Sequence, residues 1–405
     1  MSRARDPVLV AYVRTPFGRA DPKRGWFRNV RSDDLAALVL EEIVRRAGIG
    51  KRDVDGIFLG AVEMLGEQAH PASAIPYILA DFPPTIGMSV ERACTTAMMS
   101  VHVAAMSVQT GMGDIYLAGG LDSMTRFRIP VVRDGMDMSE VIGESGTLLQ
   151  AMNPNPKMFA KLNPIELNGG QGAEKLAARL GISREEMDRW ALESHRRAVA
   201  ARDRLRQEIL PVEGVTADGE RALFDYDQGP RADTTYDKIA ALPPVYSPEG
   251  RITAATSSGQ ADGAAVCLVM SRERAKATGL EALATIRTLG WGVCEPTDLI
   301  YSAIPAARRA LERAALRLDD MGVIEVNEAF ACAPIALMKE FGFEDATRVN
   351  PNGGACALGH PVGASGARLV GTTALEMRRR GARFGLATIC GGMGQGAATI
   401  LELDD

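Results

Sequence analysis

Apolar and polar positions along the chain follow two alternating periods. Residues 7–13 form a short apolar run that reads as a strand, stopped by Arg14-Thr15-Pro16-Phe17-Gly18. Behind Ser32, a good N-cap, Leu35, Leu38, Val39 and Ile43 recur at helical spacing, and Gly48 is a good stop. Residues 54–59 and 85–90 read as strands, 96–110 as a long apolar helix directly after Cys94, and 114–118 as a strand running into Gly119-Gly120. This alternation predicts a parallel sheet covered by helices.

From about residue 121 to 250 the texture changes. Asn153-Pro154-Asn155-Pro156 and Asn163-Pro164 cluster, and a charged helical hairpin follows whose second helix opens with a capping box, Ser183 with Glu186. Trp190, Leu192 and Val199 give that helix an apolar stripe, while Arg196, Arg197, Arg202, Arg204 and Arg206 read as a solvated face. A segment with amphipathic helices of its own is an inserted domain and not a linker.

After residue 250 the first texture returns and repeats. A helix over 305–316 and a strand over 323–326 match the helix after Ser32 and the strand at Val54. The His360 loop, the helix after it, and the strand 384–389 into Cys390-Gly391-Gly392 match Cys94, its helix, and the strand into Gly119-Gly120. Internal duplication of this kind sets Cys94 and His360 at equivalent helix N-termini facing each other. Cys390, at the carboxyl end of a strand, then shares their pocket, since ligands of open α/β sheets bind at that edge.

Composition narrows the class without deciding it. The chain has 405 residues, 46% hydrophobic and 24% charged, as globular proteins of two or three domains do. A net charge of -5 gives no general attraction to nucleic acid or anionic membrane. Apolar runs break well before the roughly 18 residues of a membrane span. MSRARDP runs straight into the first strand, so no leader and a cytoplasmic location are expected. The six cysteines show no CxxC pair and no metal-ligand spacing, so neither a disulfide framework nor a metal site is expected. Cys94 and Cys390 are the two beside sharp structural transitions. His70, His102 and His195 lack a loop context and read as structural or surface residues. The CGGMGQG run is no dinucleotide fingerprint, because a strand over 397–401 follows it instead of a helix.

A thiol attacks only as thiolate, and a helix N-terminus with a neighbouring imidazole lowers its pKa. Cys94 with His360 is expected to be such a pair. The stretches ERACTTA around Cys94, FDYDQGPRADTTYDKIAAL from Phe224, RITAATSSGQADGAA from Arg251, VNEAFA from Val326, NPNGGACALGHPVGASGAR from Asn350 and CGGMGQGAA from Cys390 stand in the order found in one family. The chain resembles the thiolases along essentially its whole length.

That resemblance implies an α/β, thiolase-like fold of two duplicated βαβαβαββ halves, layered α/β/α/β/α, with an inserted loop domain. Residues 1–120 with 251–272 would form the N-terminal half, 121–250 the loop domain on the CoA-binding side, and 273–405 the C-terminal half. It implies acyl transfer on coenzyme A: reversible cleavage of 3-ketoacyl-CoA to acetyl-CoA and a shortened acyl-CoA, as in fatty-acid β-oxidation. Cys94 would be the acylated nucleophile, His360 its base, Cys390 the second acid/base, and Asn327 the holder of a water. Gly392, Ala329, Phe330 and Gly169 would line the oxyanion and acyl sites, and Arg231 and Ser258 would contact CoA.

CoA is then a substrate, with no tightly bound cofactor and no metal, and the chain is expected to form homodimers or homotetramers. A hydratase/dehydrogenase partner is a further candidate from the same resemblance. The alternatives are a biosynthetic acetoacetyl-CoA thiolase and a non-catalytic thiolase-like protein. A decarboxylating ketosynthase would not need Cys390. The chain departs from the family pattern after Cys94, where Thr95-Thr96-Ala97-Met98 replaces smaller residues, and Lys238 replaces a serine near CoA. Asn168-Gly169-Gly170 replaces a methionine-bearing segment, which predicts a larger acyl pocket.

Overall fold

The computed structural model describes residues 3–127, 157 and 165–404; the predicted clusters at 153–156 and 163–164 lie outside them. The first half contains β1 (Pro7–Arg14), α1 (Ser32–Ala47), β2 (Gly56–Gly60), β3 (Ile86–Val90), α2 (Thr96–Thr110), β4 (Ile115–Ser123) and β5 (Ala261–Ser271). Its strands lie in the order β1-β5-β4-β2-β3. The last predicted strand is longer than expected: β4 continues through Gly119 and Gly120 to Ser123, because residues 115–123 all pair with β5. Ser32 is the first helical residue and not the cap. Its N–H and hydroxyl both donate to Glu67 instead, and Arg31 holds the extended cap position. Gly48 ends the helix in the left-handed conformation, as glycine does without a steric cost.

Between β4 and β5 come α3 (Gly169–Arg179) and α4 (Arg184–Ala200), the hairpin read from the sequence. Ser183 and Glu186 form the capping box at the head of α4, satisfying two amides that the helix itself cannot pair.

The second half contains β6 (Ala284–Val293), α5 (Ala303–Ala314), β7 (Val323–Val326), α6 (Cys332–Phe341), α7 (Ser365–Arg380), β8 (Phe384–Ile389) and β9 (Gln395–Glu402). Its strands run β6-β9-β8-β7, and Val349 makes a parallel bridge to Ile324 where β3 stands in the first half. The two orders are therefore the same, strand for strand. In both, the neighbours β2/β4 and β7/β8 are parallel, and the neighbours β4/β5 and β8/β9 are antiparallel. The halves meet through a short antiparallel contact, Val8 with Thr285 and Leu9 with Ala284.

Three apolar cores account for the layering. One lies under α1, a second under α5 and α6, and the third between the sheets, where α2 and α7 supply Met98, Val101, Ala105, Leu369 and Val370. Helix, sheet, helices, sheet and helix alternate, as expected. The central helices approach closely because residue 366 is glycine: a Cβ there would fall 2.3 Å from the backbone nitrogen of Met98. The consequence for function is direct, since the loops preceding these two helices carry Cys94 and His360.

Candidate active site

Beyond β3 the chain enters a tight turn, Ala93–Thr95, that leads into α2. Thr95 Oγ1 donates to the carbonyl of Arg92 and Thr96 Oγ1 accepts the Arg92 N–H, so two threonines lock the turn. These are the residues that depart from the family pattern. Cys94 sits in the turn, half-buried against the central core. Burial pushes its thiol up to about 11; backbone N–H groups of Gly392 and of Cys94 itself oppose that, and the carboxylates of Asp122 and Glu91 add to it. The expected lowering of the Cys94 pKa is absent in the resting site, because desolvation outweighs the N–H groups that face the sulfur. The resting Cys94 is a neutral thiol.

His360 is buried in the loop ahead of α7 and anchored at three points. Its N–H donates to the carbonyl of Gly259 at 2.8 Å, Nδ1 lies 2.5 Å from Ser365 Oγ, and Nε2 lies 3.3 Å from Asn327 Nδ2. Burial, with the charge of Arg368 nearby, pulls the imidazole down to about 3, so it is neutral. Asn327 follows β7, and its N–H donates to Thr388 of β8. Its Oδ1 is buried without a protein partner, and a buried acceptor of this kind is what a bound water satisfies.

Cys390 ends β8 and is buried, with its thiol raised by desolvation and by Cys94, its foremost electrostatic neighbour. The loop after it runs back along the Ala93–Thr95 turn. Gly391 donates to Ser302 Oγ, and a Cβ on Gly392 would lie 3.0 Å from that of Ala93. Cys94, Cys390 and the Gly392 N–H thus share one face, and α7, which follows the His360 loop, packs on the Ala93–Thr95 turn.

Two carboxylates that the sequence pattern does not single out organise this site. Asp122 ends β4 and accepts hydrogen bonds from Gly363 N–H at 2.5 Å, from Val62 N–H and from Gln68. It fastens the His360 loop to the first half, and burial lifts its pKa to about 7. Glu328, next to Asn327, accepts from Trp190 and Ser194 of α4, from Asn350 and from the Cys356 N–H. It ties the inserted domain to the segment that leads into the His360 loop. The one signal for it in the sequence is an acid inside an apolar run, VIEVNEAFACAPIA.

Beside the His360 loop opens a cavity of about 460 Å³ lined by Arg19, His195, Arg231, Lys238, Ser257 and Gly359, among others. Arg231 is one of its walls. Ser258 does not line it; its N–H donates to the Ala329 carbonyl, while its neighbours Ser257 and Gly259 face the cavity. His195, read as structural or surface, accepts the Arg231 N–H at 3.2 Å and so sets that arginine's backbone. His102 is structural, bridging Trp291 and Thr399 in the interior. Ala329 and Phe330 are buried beside this segment. Gly169 lies over the Phe330 ring, and a Cβ at Gly170 would collide with Tyr246 at 2.2 Å. Among the described residues, the space that the glycines leave is filled by these two rings, which stack edge to face.

The model of the thiolase N-terminal domain matches residues 7–273, and that of the thiolase C-terminal domain matches 280–403. The chain belongs to the thiolase family. It is 36% identical to the 3-ketoacyl-CoA thiolase of Marinomonas sp. (strain MWYL1) and 39% identical to that of Acinetobacter baylyi, each over 98% of both chains. The crystal structure of the Bacillus anthracis acetyl-CoA acetyltransferase superposes with a TM-score of 0.84 at 33% identity, covering 98% of both chains. The thiolase fold expected from the sequence is the fold observed. No described helix of this thiolase is long and apolar enough to cross a membrane.

Proposed function

We propose that this chain is a 3-ketoacyl-CoA thiolase, in which Cys94 carries the acyl group. The observation that carries the reading is a neutral, hydrogen-bonded imidazole with one unprotonated nitrogen, on the loop ahead of the helix that packs on the turn holding Cys94. His360 Nε2 takes the Cys94 proton when substrate arrives, and the thiolate attacks the keto carbon. The tetrahedral oxyanion is met by the N–H groups of Cys94 and Gly392. The C–C bond breaks, the acyl group stays on Cys94, and the Cys390 thiol protonates the departing acetyl-CoA enolate. The enolate oxygen is held by His360 and by a water on Asn327. The Cys390 thiolate then takes the proton of incoming CoA, whose thiolate attacks the acyl-cysteine. Cys94 leaves as thiolate and recovers its proton from His360. Run backwards, Cys390 removes a proton from the methyl of acetyl-CoA.

CoA reaches this chemistry through the cavity beside Gly359. Arg231 and Lys238 face the phosphates, and Ser257 and Gly259 flank the pantetheine arm.

A second reading, a thiolase specific for acetoacetyl-CoA, is favoured by the way Phe330 and Tyr246 fill the space beside Gly169. Thiolysis of four-, eight- and sixteen-carbon 3-ketoacyl-CoA, followed by loss of enolate absorbance on adding CoA, tests both. Turnover of the longer substrates supports the broad reading; turnover of the four-carbon substrate alone supports the second. No turnover of any by folded protein would leave a thiolase-like protein without this activity.

The working unit we propose is a cytoplasmic homodimer. Among the described residues β3 is an edge strand, whose Ile86 and Met88 are 68% and 44% exposed, as are Tyr77 and Ile78 at 60% and 67%. An apolar edge of this kind pairs with another strand or aggregates.

A further inference from the structure

Ala93, immediately before the nucleophile, is a non-glycine residue at φ 46°, in the left-handed region. That conformation is unfavourable for an L-residue, so something must hold it there. The Glu91 carboxylate accepts the Ala93 N–H at 2.6 Å. The bond is short and charge-assisted, although the Glu91 carboxylate itself is exposed to solvent. The next peptide carries the Cys94 N–H, and the Ala93 side chain comes up against Gly392. On the other side, Arg92 reaches across to Gln395 at 3.1 Å and lies over the Trp291 ring, so the turn is also pinned to the second half. None of the catalytic steps uses Glu91.

The geometry points to Glu91 as a positioning residue: by holding Ala93 left-handed it keeps the Cys94 N–H aligned with the Gly392 N–H as a two-donor oxyanion site. This rests on the role of Cys94 as the acylated nucleophile. Without the carboxylate the turn relaxes toward ordinary backbone angles, and one donor turns away from the developing charge. Glutamine at 91 keeps an oxygen acceptor for the same N–H.

Glu91→Ala and Glu91→Gln separate positioning from charge. In Glu91→Ala, kcat falls on the order of ten- to a hundredfold, less than outright loss of an oxyanion donor, while KM stays within about twofold. Glu91→Gln keeps kcat within about threefold. Iodoacetamide alkylation of Cys94 is at least as fast as wild type in both, because each variant removes a negative charge that opposes the thiolate. A turn that had simply unfolded would not give a Gln rescue. Hydrogen exchange over residues 91–96 reads the same contact without turnover: the Ala93 amide is protected in wild type and Glu91→Gln and exchanges freely in Glu91→Ala. Unchanged exchange, unchanged kcat in Glu91→Ala, or equal losses in the two variants overturn the proposal. If wild type itself cleaves no 3-ketoacyl-CoA, the thiolase reading fails, and the exchange measurement still decides whether Glu91 holds the turn.

Discussion

His360 Nδ1 lies 2.5 Å from Ser365 Oγ, and Ser365 gives its own proton to the Pro361 carbonyl at 2.9 Å. The hydroxyl can then only accept from the ring, so the imidazole proton sits on Nδ1. Nε2 is left bare and receives the Asn327 amide. One serine, five residues along the loop, selects the tautomer with an unprotonated Nε2, the form that the proposed base needs.

Ser365→Ala removes that acceptor and leaves a buried N–H unpaired, at a cost of about 1–3 kcal/mol. The expected result is a kcat lowered by about ten- to a hundredfold with little change in KM and an unchanged circular dichroism spectrum. A kcat equal to wild type would show that the tautomer is fixed by something else.

Cys390→Ala separates the two half-reactions. Acyl transfer from acyl-CoA to Cys94 forms no enolate and asks of Cys390 only the proton for the departing CoA thiolate, a good leaving group, so it should fall far less. Cleavage of 3-ketoacyl-CoA should fall by about 10²- to 10⁴-fold, the usual worth of a positioned acid. Single-turnover mixing resolves the two, and a cleavage rate no more impaired than acyl transfer would contradict the role of Cys390 as acid toward the enolate.

The resting thiol at Cys94 has a pH signature. With its pKa near 11, the thiolate is a trace at pH 7, and alkylation should climb through pH 9 and beyond. Mapping iodoacetamide adducts from pH 6 to 10.5 checks this. A plateau reached below pH 8 would mean that a thiolate–imidazolium pair already exists in the free enzyme.

Much of this arrangement is legible in the amino-acid pattern alone. The strands at 323–326 and 384–389 and the helix after Cys94 stand out by their period, because each is buried on a regular face. The duplication is visible as a repeated order of textures, and the order of strands repeats with it. What periodicity does not encode is the balance between burial and local dipoles, which is why the pattern leads to a lowered Cys94 pKa and the folded site has a raised one. Asp122 and Glu328 escape a reading by pattern for a related reason: a buried acid is understood only once its donors, drawn from distant segments, are known. The larger acyl pocket inferred at Gly169 does not foresee Tyr246, far along the chain in the inserted segment, against Gly170.

Helix packing at the centre of the molecule predicts a stability effect. Gly366→Ala places a Cβ against the backbone of Met98, which neither helix can yield cheaply. A loss of about 1–3 kcal/mol is expected from the denaturation midpoint, together with reduced activity, since both catalytic loops hang from these helices. An unchanged midpoint would mean that the two helices can move apart at little cost.

The open edge of β3 predicts assembly. Wild type should sediment as a dimer at micromolar concentration, and Ile86→Lys with Met88→Lys should sediment as a monomer with the same secondary structure. A wild-type monomer, or a double variant that still dimerises, would place the interface elsewhere or nowhere.

The central claim is that Cys94 holds the acyl group between the two half-reactions. Incubating the protein with 3-ketooctanoyl-CoA in the absence of free CoA, quenching in acid and mapping peptides by mass spectrometry tests it directly. The account predicts one six-carbon acyl group on Cys94 and release of that adduct when CoA is added. An acyl group on any other cysteine, or cleavage of the substrate with no adduct at all under these conditions, would contradict it.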